Sequence, residues 1–357
     1  MVILKEKLKK SIFIEVNTLK ITIRDVAKKA NVSVATVSRV INNKGYVYEE
    51  TRNTVMKIID ELGFEPNQLA RSLTNHRSKM IGVIVPHVGT TFYGQLIEGI
   101  EQAALSYGYK TMLCNTQDNN EREIDYLKIF EQYNVEGVIV ASNFKNKEKL
   151  ASLNIPVISI DHLINDEIPS VASDNEEGGR VAAQTLVKGG AKNFLLLRGP
   201  SFLITSLERT KGFLEVLEEY ESTYDIHDFD LVEPDAEFIY QYLKNNPQVD
   251  GIFAMSDTLA LIALGCLQKL GRKVPDEVQL VGFDDAPFTK WTTPAITTVS
   301  QSVKYMGSET VNTLIKLINN EQIHTLHKLI DIQLKLRETT KKYRKFIQKL
   351  PLFFLLI

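Results

Sequence analysis

The sequence has little cysteine and no long apolar run. Among 357 residues there are two cysteines, Cys114 and Cys266. Both sit in apolar surroundings and read as small core residues, because two thiols this far apart supply neither a disulfide framework nor a cysteine-based metal centre. No apolar run approaches the roughly 18–20 residues of a bilayer-spanning helix, so no membrane partner is expected. The apolar stretch Ile12, Phe13, Ile14 is broken by Glu15 and is too short for the core of a secretory signal. A cytoplasmic location is expected. Phosphate loops, nucleophile elbows and paired metal-ligand motifs are missing, which argues against an enzyme and against a cofactor. His324 and His327, three apart at an expected helix end, lack the further ligands that a metal would require.

What is present is an ordinary core-forming composition, 44% hydrophobic, with 42 basic and 44 acidic side chains. At this length two or three domains are expected. The charges are unevenly placed. Residues 20–79 hold eleven basic against six acidic side chains, whereas 80–340 carry a net charge of −14. A basic module joined to an acidic body suits a polyanion-binding head on a body that stays clear of the polyanion. On charge alone, a solvated charged helix surface is the alternative.

The head reads as helices. Thr22 and Asp25 make a capping-box start for a helix over 23–30, with Ile23, Val26, Ala27 and Ala30 at helical spacing. Asn31-Val32-Ser33 breaks it, and Ser33 caps a second helix over 34–42. A third, over 49–62, opens on Glu49 and Glu50 and stops at Gly63. Two short helices joined by a three-residue turn, with a third behind them, is the pattern of a helix-turn-helix domain. A short helix opened by Pro66 follows, inside a polar linker.

From Met80 the texture changes. Strands are expected at 80–86, 109–114, 137–142 and 156–160, then at 193–199, 228–233, 251–255 and 278–283. Helices are expected near 93–106, 121–133, 146–153, 176–188, 208–219, 235–245 and 258–269. Continuous apolar strands alternating with helices imply parallel sheets covered on both faces. Two such series imply two doubly wound subdomains, with a ligand cleft between them at the carboxyl ends of the strands.

The stretch TIRDVAKKANVSVATVSRVINNKGYVYEETRNTVMKIIDELGFEPNQLARSL resembles the LacI/GalR family of bacterial sugar-responsive repressors. Further matches follow in the family's order: IGVIVP, TTFYGQLIEGIE, GYKTMLCNTQDNNEREIDYL, VEGVIVAS, SDNEEGGRVAA, AMSDTLALIALGCLQKLGRKVPDEVQLVGFDD and PAITTVSQ. Together they cover residues 20–338. GYVYEETR, LLLRGP and SLERTKGF are most similar to ribose-operon repressors, and NTQDN with SDNEEGGR to sucrose-operon repressors. The resemblance implies an all-α helix-turn-helix domain (20–64), a hinge helix and linker (65–78) and a body like periplasmic binding proteins (79–338). Within the body the expectation is a first subdomain of 79–175 with a return segment near 287–302, and a second of 176–286 with 303–338. Residues 1–19 and 339–357 depart from the family. The first eighteen are read as lying upstream of a start at Leu19, against the alternative of a basic arm on DNA phosphates, and the tail as a non-functional extension.

The resemblance also implies roles. On the second helix Val34, Ala35 and Arg39 face bases, and Thr36 and Ser38 lie close to phosphates. Arg39 can pair with guanine, worth roughly 1–3 kcal/mol of discrimination, while Val34 and Ala35 offer only apolar contact. Thr22, Ser33, Asn42 and Tyr46 are candidates for phosphate contact. Leu73, flanked in the groove by Ala70 and Arg71, is expected to wedge into the minor groove, where unstacking a base step allows a bend. The alternative is plain packing of the linker. One head makes too few contacts for specific binding, so a two-fold homodimer on palindromic double-stranded DNA is implied. No leucine heptad in the tail points to a tetramer.

A small-molecule sugar effector needs aromatic faces and charged or amide groups for its hydroxyls. Residue-by-residue matching gives Phe92, Tyr93, Asp161, His162, Arg209, Asp257, Asp284 and Gln301. Plainer roles stand beside these: a helix N-cap for Asp257, a surface ion pair for Arg209, core packing for Phe92. Ribose-type members tend to have Arg after the Asp at 161. His162 cannot copy that fork, which leaves the effector open among a different sugar, a phosphorylated sugar and an orphan pocket. Competing functions are a catabolite-control or corepressor-dependent regulator of the same family and, from another class, a sugar-binding transport protein.

Overall fold

A computed structural model describes residues 21–64, 77–142 and 147–341. The chain divides into two units, residues 1–78 and 79–357.

In the first unit, helices α1 (Ile23–Lys29), α2 (Val34–Asn42) and α3 (Glu49–Leu62) surround one small core of Val26, Ala27, Val37, Val40, Val55, Ile58 and Phe64. Helices of seven and nine residues are too short to persist alone in water, so this cluster holds them. Local chemistry sets their ends. The Asp25 carboxylate accepts the Thr22 amide at 2.8 Å and the Thr22 hydroxyl at 2.7 Å, and that hydroxyl is the main reason the carboxyl titrates below its ordinary range. The Ser33 hydroxyl accepts from the Thr36 amide at 3.0 Å and caps α2. Asn43 and Gly63 close α2 and α3 in the left-handed conformation.

The second unit contains two six-stranded sheets, each forming a lobe. The first has the order β11-β5-β4-β3-β1-β2, from β1 (Met80–Val85), β2 (Lys110–Asn115), β3 (Gly137–Val140), β4 (Val157–Ile160), β5 (Ser170–Ser173) and β11 (His327–Ile330), all parallel. The second has the order β12-β10-β9-β8-β6-β7, from β6 (Asn193–Arg198), β7 (Thr223–Asp228), β8 (Gly251–Ala254), β9 (Gln279–Phe283), β10 (Thr297–Ser300) and an antiparallel β12 (Gln333–Lys335). In both, the order reverses beside the first strand of the lobe, β1 or β6. Ligands of such sheets lie outside the carboxyl ends at that reversal. The helices are α4 (Thr91–Ser106), α5 (Asn120–Gln132), α6 (Lys147–Ala151), α7 (Asn175–Lys188), α8 (Ile204–Leu217), α9 (Ala236–Asn245), α10 (Asp257–Lys269) and α11 (Val303–Ile318). The helix α11 packs on α4, and α7 packs on α8.

The structure corrects four sequence expectations. The subdomain division is reversed after residue 286. Segment 287–300 stays in the second lobe, where β10 pairs with β9, while 303–330 returns to the first, where Val303, Met306, Val311, Leu314 and Ile315 join the core under β1. Amphipathic periodicity marks α11 as buried but carries no record of which sheet it covers. Residues 339–341 belong to the second lobe rather than the tail, since Leu280 and Thr339 exchange hydrogen bonds and the Lys341 amide donates to Gln279. The strand expected at 228–233 lies at 223–228, an exposed edge strand that lacks the apolar run of a central one. His327 opens β11 rather than ending a helix, with its Nδ1 3.0 Å from the Ser170 hydroxyl, and no group of metal-holding side chains forms among the described residues.

The chain passes between the lobes at 174, 301–302 and 331–332. Two passages touch, the Asp174 amide donating to the Ile330 carbonyl at 3.2 Å.

Candidate functional site

The α2 helix presents two faces. Val37 and Val40 are buried, while Val34, Ala35 and Arg39 are exposed and Ser38 and Asn42 half-buried. The spacing of Val34, Ala35, Ser38, Arg39 and Asn42 puts all five on the face opposite the core. Part of their polar capacity is already engaged: Ser33 holds Thr36, and the Asn42 amide donates to the Ser38 hydroxyl at 3.3 Å. Thr22 is exposed with its hydroxyl on Asp25, and Tyr46 is 80% exposed, edge-on to Tyr48 at 5.2 Å. Ala70, Arg71 and Leu73 lie outside the described residues.

Between the lobes lies a cavity of about 430 Å³. Seven of the eight expected effector residues line it: Phe92, Tyr93, Asp161, His162, Arg209, Asp257 and Asp284. Phe92 and Tyr93 open α4 and meet edge to face, with ring centres 5.1 Å apart. Phe92 also packs against the first core, so its lining and packing roles coexist. The Tyr93 hydroxyl donates to the Ala141 carbonyl at 3.3 Å, and burial raises its phenol well above the ordinary value.

Two carboxylates face the cavity from strand ends. Asp161 follows β4 and Asp284 follows β9, both with positive φ, 66° and 110°. Neither is glycine, so the backbone there is strained, a feature concentrated at ligand sites. Neighbouring strands hold them in place: the Asp161 amide donates to Val171 and the Asp284 amide to Val299, each at 2.8 Å. Burial pushes the Asp161 carboxyl up to about 7, with Arg209 opposing and Asp284 adding to the rise. Burial raises Asp284 too, against the pull of Arg209 and Gln301. Asp161 Oδ1 is buried without a hydrogen-bond partner. Such an acceptor costs about 1–3 kcal/mol until a donor reaches it.

Arg209 is buried, which removes the surface ion-pair reading. Its Nε donates to Asn175 Oδ1 at 2.8 Å, its Nη1 to the Met255 carbonyl at 2.7 Å, and the guanidinium lies 3.7 Å from the centre of the Phe283 ring. These contacts leave Nη2 uncommitted by any of them and fix the plane of the fork. Asp257 is not the N-cap of α10, because the Ser256 hydroxyl accepts from Leu259 and fills that position. Instead both Asp257 oxygens are engaged, with the Thr298 hydroxyl at 2.7 Å and the Ala286 amide at 2.6 Å. Its carboxyl is raised far above the ordinary range by burial, with Asp284 adding to the effect. Asp257 therefore ties β10 to the loop after β9. Gln301 does not line the cavity; its amide lies behind, donating to Asp284. The Nδ1 of His162 is 3.0 Å from the Ile160 carbonyl and must donate to it, which makes Nε2 the acceptor in the neutral ring.

Sequence reasoning missed His87, Asp118 and Asp230. The His87 Nε2 meets Asp118 Oδ2 at 2.7 Å, and Asp230 accepts from the Val232 and Glu233 amides, Glu233 first among the causes that lower its carboxyl. All three follow carboxyl ends of strands, β1, β2 and β7. The strand-end rule applied to every expected strand would have found His87 and Asp118, whereas Asp230 fell inside the strand expected at 228–233 and was hidden by that misplacement. Also missed was the apolar rim of the cavity, Leu163, Phe202, Leu203, Ile204 and Val232 among it.

Comparison with known proteins agrees with both units. Residues 22–67 match the family described as bacterial regulatory proteins, lacI family, and residues 78–338 match periplasmic binding proteins and the sugar binding domain of the LacI family. The ribose operon repressor of Halalkalibacterium halodurans is 39% identical over 321 residues, covering 90% of this chain and 97% of the relative. The sucrose operon repressor of Streptococcus mutans is 36% identical over 282 residues, covering 78% and 87%. Among solved structures, the lac repressor dimer bound to operator and the anti-inducer ONPF superposes with a TM-score of 0.81 at 25% identity, over 90% of this chain and 99% of that one. Described residues contain no helix long and apolar enough to cross a membrane. The chain belongs to the LacI family of bacterial regulatory proteins.

Proposed function

We propose that the protein is a homodimeric repressor of a carbohydrate-utilisation operon, acting on palindromic operator DNA in the cytoplasm and released by a small sugar. The observation that carries this reading is the cavity between the lobes, where Asp161, Arg209 and Asp284 converge from three different elements beside Phe92 and Tyr93. Carboxylates and a planar guanidinium bind vicinal hydroxyls in pairs, and the aromatic edge offers the apolar face that a sugar ring needs. The names of the ribose and sucrose operon relatives support the same class.

In this reading Val34, Ala35 and Arg39 contact bases, and Thr22, Ser33, Thr36, Ser38, Asn42 and Tyr46 contact the backbone. Ala70, Arg71 and Leu73 enter the minor groove. The sugar binds more tightly to a closed arrangement of the lobes than to an open one. Only that difference in affinity shifts the equilibrium, and the closed arrangement separates the two 66–73 segments of the dimer. The test is operator binding with and without pentoses, hexoses, disaccharides and sugar phosphates. Release by a sugar is expected. Strengthened binding would instead identify a corepressor, and no response to any of them would overturn induction by a sugar.

A further inference from the structure

The cavity has two kinds of wall. Asp161, Arg209 and Asp284 form a polar floor at strand ends, while the rim carries large apolar side chains: Leu163 at 45% exposure, Phe202 at 65%, Ile204 at 47% and Val232 at 44%. Leu163 belongs to the loop after β4 in the first lobe. Phe202 and Ile204 follow β6, and Val232 follows β7, in the second lobe. Isolated exposed leucines need no explanation, but a cluster lining one cavity marks a surface that something covers. A bare monosaccharide presents hydroxyls on nearly every carbon and gains little from such a rim. It is also much smaller than the ligands that pockets of roughly 300–1,000 Å³ enclose.

Charge narrows the choice further. Among the described residues, Asp118, Asp161, Asp230, Asp257 and Asp284 line the same cavity, against one arginine, Arg209, and no lysine. Asp230, its carboxyl held low by the Glu233 and Val232 amides, would repel a phosphate group brought beside it, most strongly where water is excluded.

We infer that the effector is a glycoside: a sugar on the polar floor carrying an uncharged, flat or apolar substituent that lies against Phe202, Ile204, Val232 and Leu163. This rests on the sugar reading above and specifies its ligand. Nucleosides and aryl glycosides share the required chemistry, and phosphorylated sugars lack it.

The experiment is calorimetric titration of the full-length protein with D-ribose, uridine, phenyl β-D-ribofuranoside and uridine monophosphate, and with D-glucose and phenyl β-D-glucoside. At least one substituted sugar is expected to bind tenfold or more tightly than its bare parent, and uridine monophosphate more weakly than uridine. Uridine alone gaining would identify a nucleoside source, and the phenyl glycosides alone an aryl glycoside source. Phe202→Ala, and independently Val232→Ala, should bring the ratio of substituted to bare affinity toward one, with melting temperature as the control for folding. Bare sugars binding as tightly as substituted ones would overturn the inference while leaving the sugar reading intact, as would an affinity ratio untouched by both variants. Failure of every sugar, bare or substituted, to bind would overturn the sugar reading and this inference together.

Discussion

The Asp284 carboxylate on the cavity wall accepts a hydrogen bond from the side-chain amide of Gln301, the first residue of the passage from the second lobe to the first. The Gln301 side chain is fully buried. A group that lines the cavity is thus joined directly to a segment that connects the two lobes. Gln301→Leu removes the donor and leaves a buried carboxylate oxygen short of a partner. Hydrogen bonds to charged groups are worth about 1.5–3 kcal/mol, so effector affinity should fall by roughly 10–100-fold, read by calorimetric titration. Unchanged affinity would separate Asp284 from Gln301.

The raised carboxyls give the body a defined pH response. Asp161 titrates at about 7 in the folded chain against an ordinary value of 3.8, and Asp284 is displaced in the same direction. A carboxyl that keeps its proton in the folded state after the unfolded chain has lost it makes stability fall as pH rises between the two values. The body should therefore melt higher at pH 5 than at pH 8, by roughly a few degrees, since 1 kcal/mol shifts a domain of this size by about 2–4 °C. Asp161→Asn should remove part of that slope. Effector binding should run the other way. Ligand hydroxyls donate to the ionised form, so affinity rises from pH 6 to pH 8 and binding releases protons, which titration in buffers of different ionisation enthalpy measures.

Much of this site was legible in the sequence, for identifiable reasons. Apolar runs such as MIGVIV and GVIV read as strands buried on both faces, and the family resemblance then supplied Asp161, Asp257 and Asp284, whose places at strand ends agree with the strand-end rule. Side-chain roles were less legible. Whether Asp257 caps a helix or clamps Thr298 to Ala286, and whether Gln301 meets ligand or Asp284, depends on contacts between segments far apart in sequence. Hydrophobic period identifies a buried helix face, yet α11 could serve either sheet, and the subdomain division failed there. The edge strand β7, with exposed Thr223, Tyr224 and Asp225, has no apolar signature to read.

The α7–α8 contact positions Arg209 through two glycines. A Cβ on Gly212 would lie 1.8 Å from the Glu176 carbonyl oxygen, and one on Gly179 would lie 2.1 Å from the Arg209 carbonyl oxygen. Both obstacles are backbone, so neither can rotate away. Gly212→Ala should separate the helices and destabilise the body by about 1–3 kcal/mol or more, the usual cost of overpacking. Because Arg209 sits on the displaced helix, effector affinity should fall as well. Arg209→Lys tests the fork itself: charge is kept, but one ammonium cannot reproduce the planar set of bonds to Asn175 and Met255 with stacking on Phe283. Its effector binding should be lost at temperatures where circular dichroism still reports a folded body.

On the head, exposure separates recognition from folding. Arg39 is exposed, its side chain near Gly45, while the adjacent Val40 is in the core. Arg39→Ala should leave the melting of the helical head within about 0.5 kcal/mol of the parent, as is usual for surface positions. It should lose roughly 1–3 kcal/mol of preference at one base pair of each half-site. Tyr46, proposed above as a phosphate contact, should behave differently. Tyr46→Phe removes a hydroxyl donor and should weaken binding to all sequences alike, since phosphate contacts position without reading sequence. Binding assays on operator variants, each with one altered base pair, separate the two effects. Arg39→Ala flattens the profile at a single position, whereas Tyr46→Phe lowers the whole profile and preserves its shape. If Arg39→Ala lowers affinity uniformly, Arg39 is a phosphate contact, and base reading on α2 falls to Val34 and Ala35.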